Sequence, residues 1–167
     1  MRAAPRASRI RLLVLDVDGV LTDGGLVYHA SGEETKRFHV HDGFALVAAL
    51  QAGLQIAVLS GRASAAVTRR LAELGVAEVH QGVTDKVAAL DSLRERLGLA
   101  SREVAVMGDD LPDLPAMARA GMALAPANAV TEIKRMAHWI ARRRGGDGAV
   151  REAVEMLLKA RRSWPPR

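Results

Sequence analysis

The sequence lacks cysteine and has few aromatic residues: its 167 residues include no Cys, two Trp, one Tyr and two Phe. Without cysteine, disulfide bonds, thiolate metal sites and cysteine nucleophiles are excluded. The scarcity of aromatic side chains argues against binding of single-stranded nucleic acid by base stacking. No run of about 18 apolar residues occurs, so no membrane-spanning helix is predicted. The first ten residues lead into a strand instead of the apolar stretch of a signal peptide, so a cytoplasmic protein is expected.

Positive charge is scarce in the middle of the chain, although the formal net charge is +5. Residues 1–11 carry four Arg and no acidic residue, residues 12–138 carry 12 basic and 16 acidic residues, and residues 139–167 carry 8 and 3. Basic ends could attract nucleic acid or an anionic membrane. Because the body of the chain is acidic, we expect neither of them as a partner, and a nucleic-acid-binding protein is kept only as a rival interpretation.

Short apolar runs alternate with longer amphipathic stretches, which is typical of a parallel sheet covered by helices on both faces. Strands are predicted at Ile10–Leu15, Gln55–Leu59, Ala77–His80, Val104–Met107 and Met122–Ala125. Helices are predicted at Gly43–Ala52, Ser64–Leu74, Lys86–Leu97, Pro112–Ala120, Val130–Met136 and Ala149–Arg161. The predicted fold class is α/β, a Rossmann-like three-layer α/β/α sandwich with a central parallel sheet, and residues 1–167 form a single domain.

Two segments depart from this alternation. Residues 21–41 are rich in Gly, Thr and charge, and the apolar residues around 26–28 and 35–40 predict a β-hairpin flap that projects from the end of the first strand. Residues 142–167 form a basic C-terminal segment and helix; within it, residues 142–148 are expected to be flexible and residues 163–167, with two Pro, to be disordered.

The residues that follow the strands carry the chemistry, because ligands of an open parallel sheet bind beyond the carboxyl ends of its strands. Asp16 and Asp18 lie two apart, so one can attack phosphorus while the other protonates the leaving oxygen. Asp109 would add an oxygen ligand for Mg²⁺. Lys86 and Ser60 would stabilise charge on the phosphoryl oxygens. This set predicts phosphoryl transfer.

Each of these residues also has a simpler interpretation. An Asp-x-Asp sequence is common in turns, Ser60 could cap the helix that follows it, and a lysine such as Lys86 is most often solvated. Asp110 and Asp113 could merely favour a helix N-terminus. Independent turn residues have no reason to supply a carboxylate pair, a hydroxyl, a cation and a metal ligand in this strand order, so we favour the functional interpretation.

The order of the motifs resembles the haloacid dehalogenase (HAD) superfamily of phosphatases, and more closely the 3-deoxy-D-manno-octulosonate 8-phosphate (KDO 8-phosphate) phosphatase family. The resemblance covers about residues 12–160 and rests on DVDGVLTDG (16–24), GEETK (32–36), DG (42–43), QG and DK (81–82 and 85–86), GDDLPDLP (108–115) and GGDGAVRE (145–152). It implies a capless HAD fold, a Mg²⁺ cofactor and hydrolysis of a sugar acid phosphate in lipopolysaccharide sugar biosynthesis.

Catalytic and metal-binding roles follow from the resemblance. It implies that Asp16 forms an aspartyl-phosphate and that Asp18 is the general acid and then the general base. Mg²⁺ would be held by the carboxylates of Asp16 and Asp109 and by the backbone carbonyl of Asp18, with Asp110 and Asp113 behind these ligands.

Substrate contacts also follow from the resemblance, and they fall on His39, Val40, His41, Asp42, Gly43, Arg62, Arg70 and Lys86. The family segment usually reads Asn-Val-Arg-Asp-Gly where this chain has His39-Val-His41-Asp-Gly. An imidazole in place of a guanidinium would make a carboxylate contact weaker and dependent on pH. Alternatively, both His residues lie near solvent at the base of the hairpin.

The resemblance further implies a homotetramer in which the hairpin and the C-terminal segment of neighbouring subunits close each active site. Two rival functions stay open within this fold: a phosphatase of nine-carbon sugar acid 9-phosphates, and a noncatalytic module like the domain attached to some cytidylyltransferases. Arg62 favours the eight-carbon substrate, because the nine-carbon enzymes usually have Glu-Lys after the preceding Gly and a guanidinium can bind a carboxylate bidentately.

Overall fold

A six-stranded, all-parallel sheet lies at the centre of the computed structural model, which describes residues 4–165. Its strands are β1 (Leu12–Leu15), β4 (Gln55–Leu59), β5 (Glu78–His80), β6 (Val104–Met107), β7 (Met122–Ala125) and β8 (Trp139–Ile140). They are ordered β5-β4-β1-β6-β7-β8. A separate two-stranded antiparallel hairpin is formed by β2 (Val27–Tyr28) and β3 (Glu34–Thr35).

Seven α-helices are assigned among the described residues, and the larger ones cover both faces of the sheet. They are α1 (Ala4–Ala7), α2 (Val40–Gln51), α3 (Ala65–Glu73), α4 (Lys86–Arg96), α5 (Leu114–Arg119), α6 (Thr131–Met136) and α7 (Ala149–Ala160). Leu13 and Leu15 of β1 face a core shared with α2, α3 and α7, whereas Leu12 and Val14 face a core shared with α4, α5 and α6. The alternation of side chains along a strand buried on both faces thus produces the three predicted layers.

Strand β1 lies between β4 and β6. The strands that follow it in the chain, β4 and β5, extend the sheet on one side, and the later strands β6, β7 and β8 extend it on the other. At such a switch point the connections leave the two neighbouring strands in opposite directions and open a crevice at their carboxyl ends. The turns that follow β1, β4 and β6 therefore border one cleft.

The five predicted strands and the six predicted helices are confirmed, with shifts at their ends. Strand β8 was not predicted, since two residues at the edge of a sheet are too short for a periodic signal. Helix α2 begins at Val40 and not at Gly43, because His39 caps it: the His39 Nδ1 accepts a hydrogen bond from the His41 N–H at 3.2 Å. The hairpin accordingly ends before residue 40.

The basic segment 142–148, predicted to be flexible, is held by hydrogen bonds to its own subunit. The backbone N–H of Arg142 donates to Glu152 at 2.7 Å, that of Gly145 to Asn128 Oδ1 at 2.6 Å, and that of Gly146 to the Val20 carbonyl at 3.2 Å. The expectation of a free loop was wrong, because it was based on composition alone and the glycines are buried.

The tail is also more ordered than predicted. The Ser163 N–H donates to the Leu158 carbonyl at 2.8 Å, and Trp164 packs on the core with the Arg151 guanidinium 4.7 Å from its ring. Pro166 and Arg167 lie outside the described residues. Over the described part of the chain, the structure contains no helix with the length and apolar character needed to cross a membrane.

Candidate active site

The turn after β1 places two aspartates at the crevice. The Val17 carbonyl accepts backbone hydrogen bonds from residues 20, 21 and 22 at 3.2, 2.9 and 3.0 Å, which closes a tight turn directly beyond Asp16. Asp16 and Asp18 then line a cleft of about 480 Å³. The other predicted residues at this cleft are Ser60, Arg62, Lys86, Asp109, Asp110 and Asp113. The predicted convergence of strand-end residues at one site is therefore found in the structure.

Lys86 is the cation at the centre of this cleft. Its ammonium donates to Asp16 Oδ1 at 2.8 Å and to Asp113 Oδ1 at 2.6 Å, and its side chain is 11% exposed. It is the first residue of α4, whose preceding residue Asp85 caps the helix by accepting from two backbone N–H groups. Burial alone lowers the pKa of Lys86, but the charges of Asp16 and Asp113 outweigh it and raise that pKa. Lys86 is therefore charged at neutral pH and is not a solvated helix residue.

Three carboxylates crowd around this lysine. Oxygen atoms of Asp16, Asp109 and Asp113 all lie within 4.8 Å of one another. Burial, followed by repulsion from Asp113, raises the pKa of Asp16 to about 6, although Lys86 opposes this change. Burial, followed by repulsion from Asp16 and Asp113, raises the pKa of Asp109 to about 7. One ammonium does not balance three carboxylates, so the site has the hard oxygen ligands and the unbalanced negative charge that suit Mg²⁺.

Gly19 permits the close approach of Asp109 to the turn after β1. A Cβ at this position would lie 2.0 Å from Asp109 Oδ2, and the backbone φ of +89° is one that L side chains rarely adopt. Gly19 is therefore required on steric and conformational grounds at the point where Asp109, the predicted metal ligand, reaches the turn after β1.

Asp113 and Asp110 both line the cleft, but their contacts differ. Asp113 is 3% exposed, and its Oδ2 accepts from the backbone N–H of Asp109 at 3.0 Å while its Oδ1 binds Lys86. These contacts fit the predicted position of Asp113 behind the metal ligands, and they also connect it to Lys86. Asp110 is exposed and accepts from the Leu111 N–H at 2.8 Å, which is a capping contact. The metal role of the Asp18 backbone carbonyl stays a prediction.

Ser60 is buried at 3% exposure at the end of β4, and its Oγ accepts a hydrogen bond from the Arg62 N–H at 3.3 Å. The alternative that Ser60 caps the next helix is wrong, because α3 begins after Ser64. The Ser60 side chain thus lies at the cleft, as expected for a residue that contacts a phosphoryl group.

The hairpin folds back over the cleft of its own subunit. The Arg62 guanidinium donates to the Tyr28 hydroxyl at 2.7 Å and to Glu34 Oε2 at 2.8 Å, and its Nε lies 3.5 Å from Asp18 Oδ2. Lys36 donates to Asp18 Oδ1. No role was predicted for Glu34 or Lys36 from the sequence, although both lie in the GEETK motif at residues 32–36.

The remaining predicted substrate residues do not line this cleft. His39, Asp42, Gly43 and Arg70 surround a separate small cavity, Val40 is 71% exposed, and His41 is exposed. Gly43 leaves room for Arg70, since a Cβ there would lie 2.3 Å from Arg70 Nη2. The His residues lie near the solvent, as the alternative interpretation has it, and substrate contact by these residues stays a prediction.

The prediction that Asp42 contacts the substrate requires a correction. The Asp42 carboxylate is 2% exposed and accepts from the backbone N–H of Gly148 at 3.3 Å and of Arg151 at 2.7 Å, at the start of α7. Burial raises the pKa of Asp42 in spite of these hydrogen bonds. Its side chain therefore joins α2 to α7, where the positive end of the helix macrodipole favours an acceptor, and is not free to bind substrate.

Magnesium is expected to stabilise the fold more at high pH than at low pH. Because the pKa values of Asp16 and Asp109 are raised to about 6 and about 7, the metal-free folded protein binds more protons than the unfolded chain between about pH 4 and 7. The contribution of these groups to the free energy of unfolding therefore falls as pH rises through this window. Mg²⁺ competes with the same protons.

At about pH 8, with Mg²⁺ at about 100 times the Kd for that pH, we expect the melting temperature to rise by about 5 to 10 °C. At about pH 5 and the same Mg²⁺ concentration, the rise should be smaller. Thermal unfolding followed by circular dichroism measures both values, and Asp109→Asn should lose most of the effect. An equal rise at the two pH values would contradict binding of Mg²⁺ by these carboxylates.

Comparisons with known proteins agree with the geometry. A family model described as haloacid dehalogenase-like hydrolase matches residues 72–152. The 3-deoxy-D-manno-octulosonate 8-phosphate phosphatase KdsC of Escherichia coli K12 is 42% identical over 155 residues, which are 93% of this chain and 82% of that protein. The protein of the same name from Haemophilus influenzae is 41% identical over 155 residues, which are 93% of this chain and 86% of that protein.

Solved structures show the same fold. The 3-deoxy-D-manno-octulosonate 8-phosphate phosphatase of Moraxella catarrhalis, in complex with a magnesium ion, a phosphate ion and a KDO molecule, superposes with a TM-score of 0.94 at 42% identity, over 96% of this chain and 92% of that chain. The cobalt-bound deoxy-D-mannose-octulosonate 8-phosphate phosphatase of Haemophilus influenzae gives a TM-score of 0.91 at 40% identity, over 95% and 92% of the two chains.

Proposed function

The chain belongs to the 3-deoxy-D-manno-octulosonate 8-phosphate phosphatase family of haloacid dehalogenase-like hydrolases, and from this premise we propose that it hydrolyses KDO 8-phosphate to KDO and phosphate with Mg²⁺. It is a phosphoric monoester hydrolase. The observation that carries the proposal is the Lys86 ammonium, which binds Asp16 and Asp113 inside a cluster of carboxylates at the end of β1. The reaction belongs to lipopolysaccharide sugar biosynthesis.

Asp16 is the nucleophile of the first step. Lys86 binds its Oδ1, and the other carboxylate oxygen forms a bond to phosphorus while the bond from phosphorus to the sugar oxygen breaks. Asp18 donates its proton to the departing sugar oxygen. The products of this step are an aspartyl-phosphate on Asp16, the free sugar acid and the carboxylate form of Asp18.

Water completes the reaction in the second step. The Asp18 carboxylate takes a proton from a water molecule whose oxygen attacks phosphorus, and the bond from phosphorus to Asp16 breaks. Inorganic phosphate leaves, while Asp16 returns to its carboxylate form and Asp18 to its acid form. Lys86 and Ser60 donate hydrogen bonds to the phosphoryl oxygens. When bound by Asp16, Asp109 and the Asp18 carbonyl, Mg²⁺ supplies positive charge that offsets the repulsion between the anionic nucleophile and the phosphoryl group.

Arg62 supports a sugar acid as the substrate. Its guanidinium lies at the cleft with Nε 3.5 Å from Asp18 Oδ2, and it is 44% exposed, so a carboxylate in the cleft can reach it. In the structure Glu34 occupies the same guanidinium at 2.8 Å. The substrate carboxylate would replace the Glu34 carboxylate at this guanidinium. Because one carboxylate replaces another, the charge of Arg62 stays balanced.

The test is a side-by-side measurement of phosphate release from KDO 8-phosphate and from a nine-carbon sugar acid 9-phosphate, with Mg²⁺ and with EDTA. We expect Mg²⁺-dependent turnover and a higher kcat/KM for the eight-carbon compound. Arg62→Lys should raise KM for KDO 8-phosphate more than for a sugar phosphate without a carboxylate, because it loses the bidentate fork. A preference for the nine-carbon compound would overturn the substrate assignment.

A homotetramer is part of the proposal. Apolar side chains on the hairpin and at the start of α2 are exposed: Leu26 by 44%, Val27 by 53%, Tyr28 by 58%, Val40 by 71% and Phe44 by 54%. A two-stranded hairpin has no core of its own, and a cluster of exposed apolar side chains is typical of an interface. Sedimentation equilibrium tests this assembly, and a monomer at micromolar concentration would contradict it.

The cytoplasm is the proposed location. The substrate carries a carboxylate and a phosphate, and such an anion does not cross a bilayer unaided. An enzyme that uses it is therefore expected in the compartment where the phosphate ester is made, and cell fractionation tests this expectation.

A further inference from the structure

Lys36 is a lysine almost without solvent contact beside the general acid. Its side chain is 1% exposed, its ammonium donates to Asp18 Oδ1, and Glu34 Oε1 lies 3.3 Å from it. A lysine is buried to this extent only where carboxylates compensate the loss of water. The segment after the hairpin therefore delivers a charged group to one defined oxygen of the catalytic turn.

The two oxygens of Asp18 have different partners. Lys36 donates to Oδ1, whereas Arg62 Nε lies 3.5 Å from Oδ2, a longer contact. Glu34 joins the two cations from the opposite side, with one oxygen 3.3 Å from Lys36 and the other 2.8 Å from Arg62. The four side chains form a closed ring of alternating charge that fixes the plane of the Asp18 carboxyl group.

Lys36 and Arg62 differ in their freedom to leave this ring. Arg62 is 44% exposed and is the group proposed to bind the substrate carboxylate, whereas Lys36 is enclosed by protein. When Arg62 turns to the substrate, Oδ2 loses its weak partner while Oδ1 keeps the ammonium. Because an ammonium can only donate, Oδ1 must accept from it, and Oδ2 becomes the oxygen that carries and transfers the proton.

We propose that Lys36 is a positioning residue, which holds Oδ1 of Asp18 and so presents Oδ2 to the oxygen of the leaving group. This inference rests on the proposed function, since it assigns a proton donor only if the cleft cleaves phosphate esters. It adds to the mechanism a hairpin residue that touches neither the nucleophile nor a metal-ligand carboxylate.

The dependence of rate on the leaving group tests this role. Phenyl phosphate and 4-nitrophenyl phosphate are similar in size, and neither has a sugar that could contact the hairpin. The phenolate released from phenyl phosphate is the more basic leaving group, so its departure depends strongly on a proton donor, whereas the departure of 4-nitrophenolate does not. The comparison uses kcat/KM, which reports the steps up to departure of the leaving group; hydrolysis of the aspartyl-phosphate is common to both esters. We expect Lys36→Met to lower kcat/KM about 10-fold or more for phenyl phosphate and no more than about 3-fold for 4-nitrophenyl phosphate.

Two control variants separate proton transfer from docking of the hairpin. Glu34→Gln weakens the ring but leaves the contact between Lys36 and Asp18, so it should lower kcat/KM for both esters by the same factor. Lys159→Met removes an exposed lysine that pairs with Glu155 at 2.8 Å on α7, and it should change neither value. Lys36→Arg keeps the donor and should restore part of the phenyl phosphate activity.

Equal losses for the two esters in Lys36→Met would overturn the inference, even if the losses are large. If circular dichroism shows that Lys36→Met is unfolded, Lys36→Ala, which also lacks a side-chain donor, is measured in the same way and decides the question. Wild-type protein with no phosphatase activity would overturn the proposed function and this inference with it. Wild-type activity together with an unchanged ratio in the variant would overturn the role of Lys36 alone.

Discussion

Replacing Asp16 by asparagine is expected to reduce phosphate release by at least about 10⁴-fold, because it removes the proposed nucleophile. The change is nearly isosteric, and Lys86 keeps its second partner, Asp113, at 2.6 Å. Steady-state assays with KDO 8-phosphate and with 4-nitrophenyl phosphate should both show the loss. An activated leaving group does not replace a missing nucleophile.

The same substitution is expected to preserve the fold. The pKa of Asp16 is raised to about 6 by burial and by repulsion from Asp113, so its ionised form lowers the free energy of unfolding above that pH. A neutral amide removes this cost, and the melting temperature without Mg²⁺ should be equal to or above that of the wild type at about pH 8. Asp91→Asn is the matched control, since Asp91 pairs with Arg94 and Arg119 at the surface, and its activity should not change. Full activity in Asp16→Asn would refute the aspartyl-phosphate mechanism.

The position of the proposed catalytic carboxylates at one cleft could be predicted from the sequence, because it follows from local rules. A buried strand must end in a turn, parallel strands end at the same edge of the sheet, and the residues after β1 and β6 therefore meet. Asp16, Asp109 and Lys86 are brought to the cleft in this way, each by the element directly next to it in the chain. No long-range information was needed to place them together.

The contacts that the sequence did not reveal join segments distant in the chain. Lys36 reaches Asp18 across 18 residues through the fold of the hairpin, and Asp42 reaches the start of α7 across 106 and 109 residues. Neither periodicity nor turn chemistry encodes such a pairing. An aspartate in the first turn of a helix suits its own helix dipole as well as it suits a ligand or another helix, so Asp42 could not be assigned from its position.

Residues 142–148 were predicted to be a flexible basic segment, whereas the glycines of the GGDGAVRE motif (145–152) support the turn after β1. A Cβ on Gly145 would lie 1.8 Å from the Gly19 carbonyl oxygen and 2.8 Å from that of Thr22. Asn128 joins the two loop segments that meet here: its Nδ2 donates to the Gly19 carbonyl at 3.0 Å and its Oδ1 accepts from the Gly145 N–H at 2.6 Å. Only glycine allows the two backbones to approach so closely.

Gly145→Ala is therefore expected to lower the free energy of unfolding by about 3 kcal/mol or more, since the clash is with backbone and cannot be relieved by rotation of a side chain. For a chain of this size that corresponds to a fall in melting temperature of about 10 °C. Phosphatase activity should fall as well, even at temperatures where the variant is folded, because the displaced turn lies next to Asp18 in the chain.

Gly98→Ala separates this clash from the general cost of replacing a glycine. Gly98 has a φ of +64° and nothing within 4 Å of an added Cβ, so only backbone strain of about 1 kcal/mol is expected, with activity unchanged. Urea unfolding of both variants, with kcat and KM measured below the transition, provides the comparison. If Gly145→Ala costs no more than Gly98→Ala and leaves kcat intact, the turn after β1 does not depend on its contact with the C-terminal segment. A larger cost together with a lower kcat would show that Gly145 supports the turn that holds Asp18, the proposed general acid.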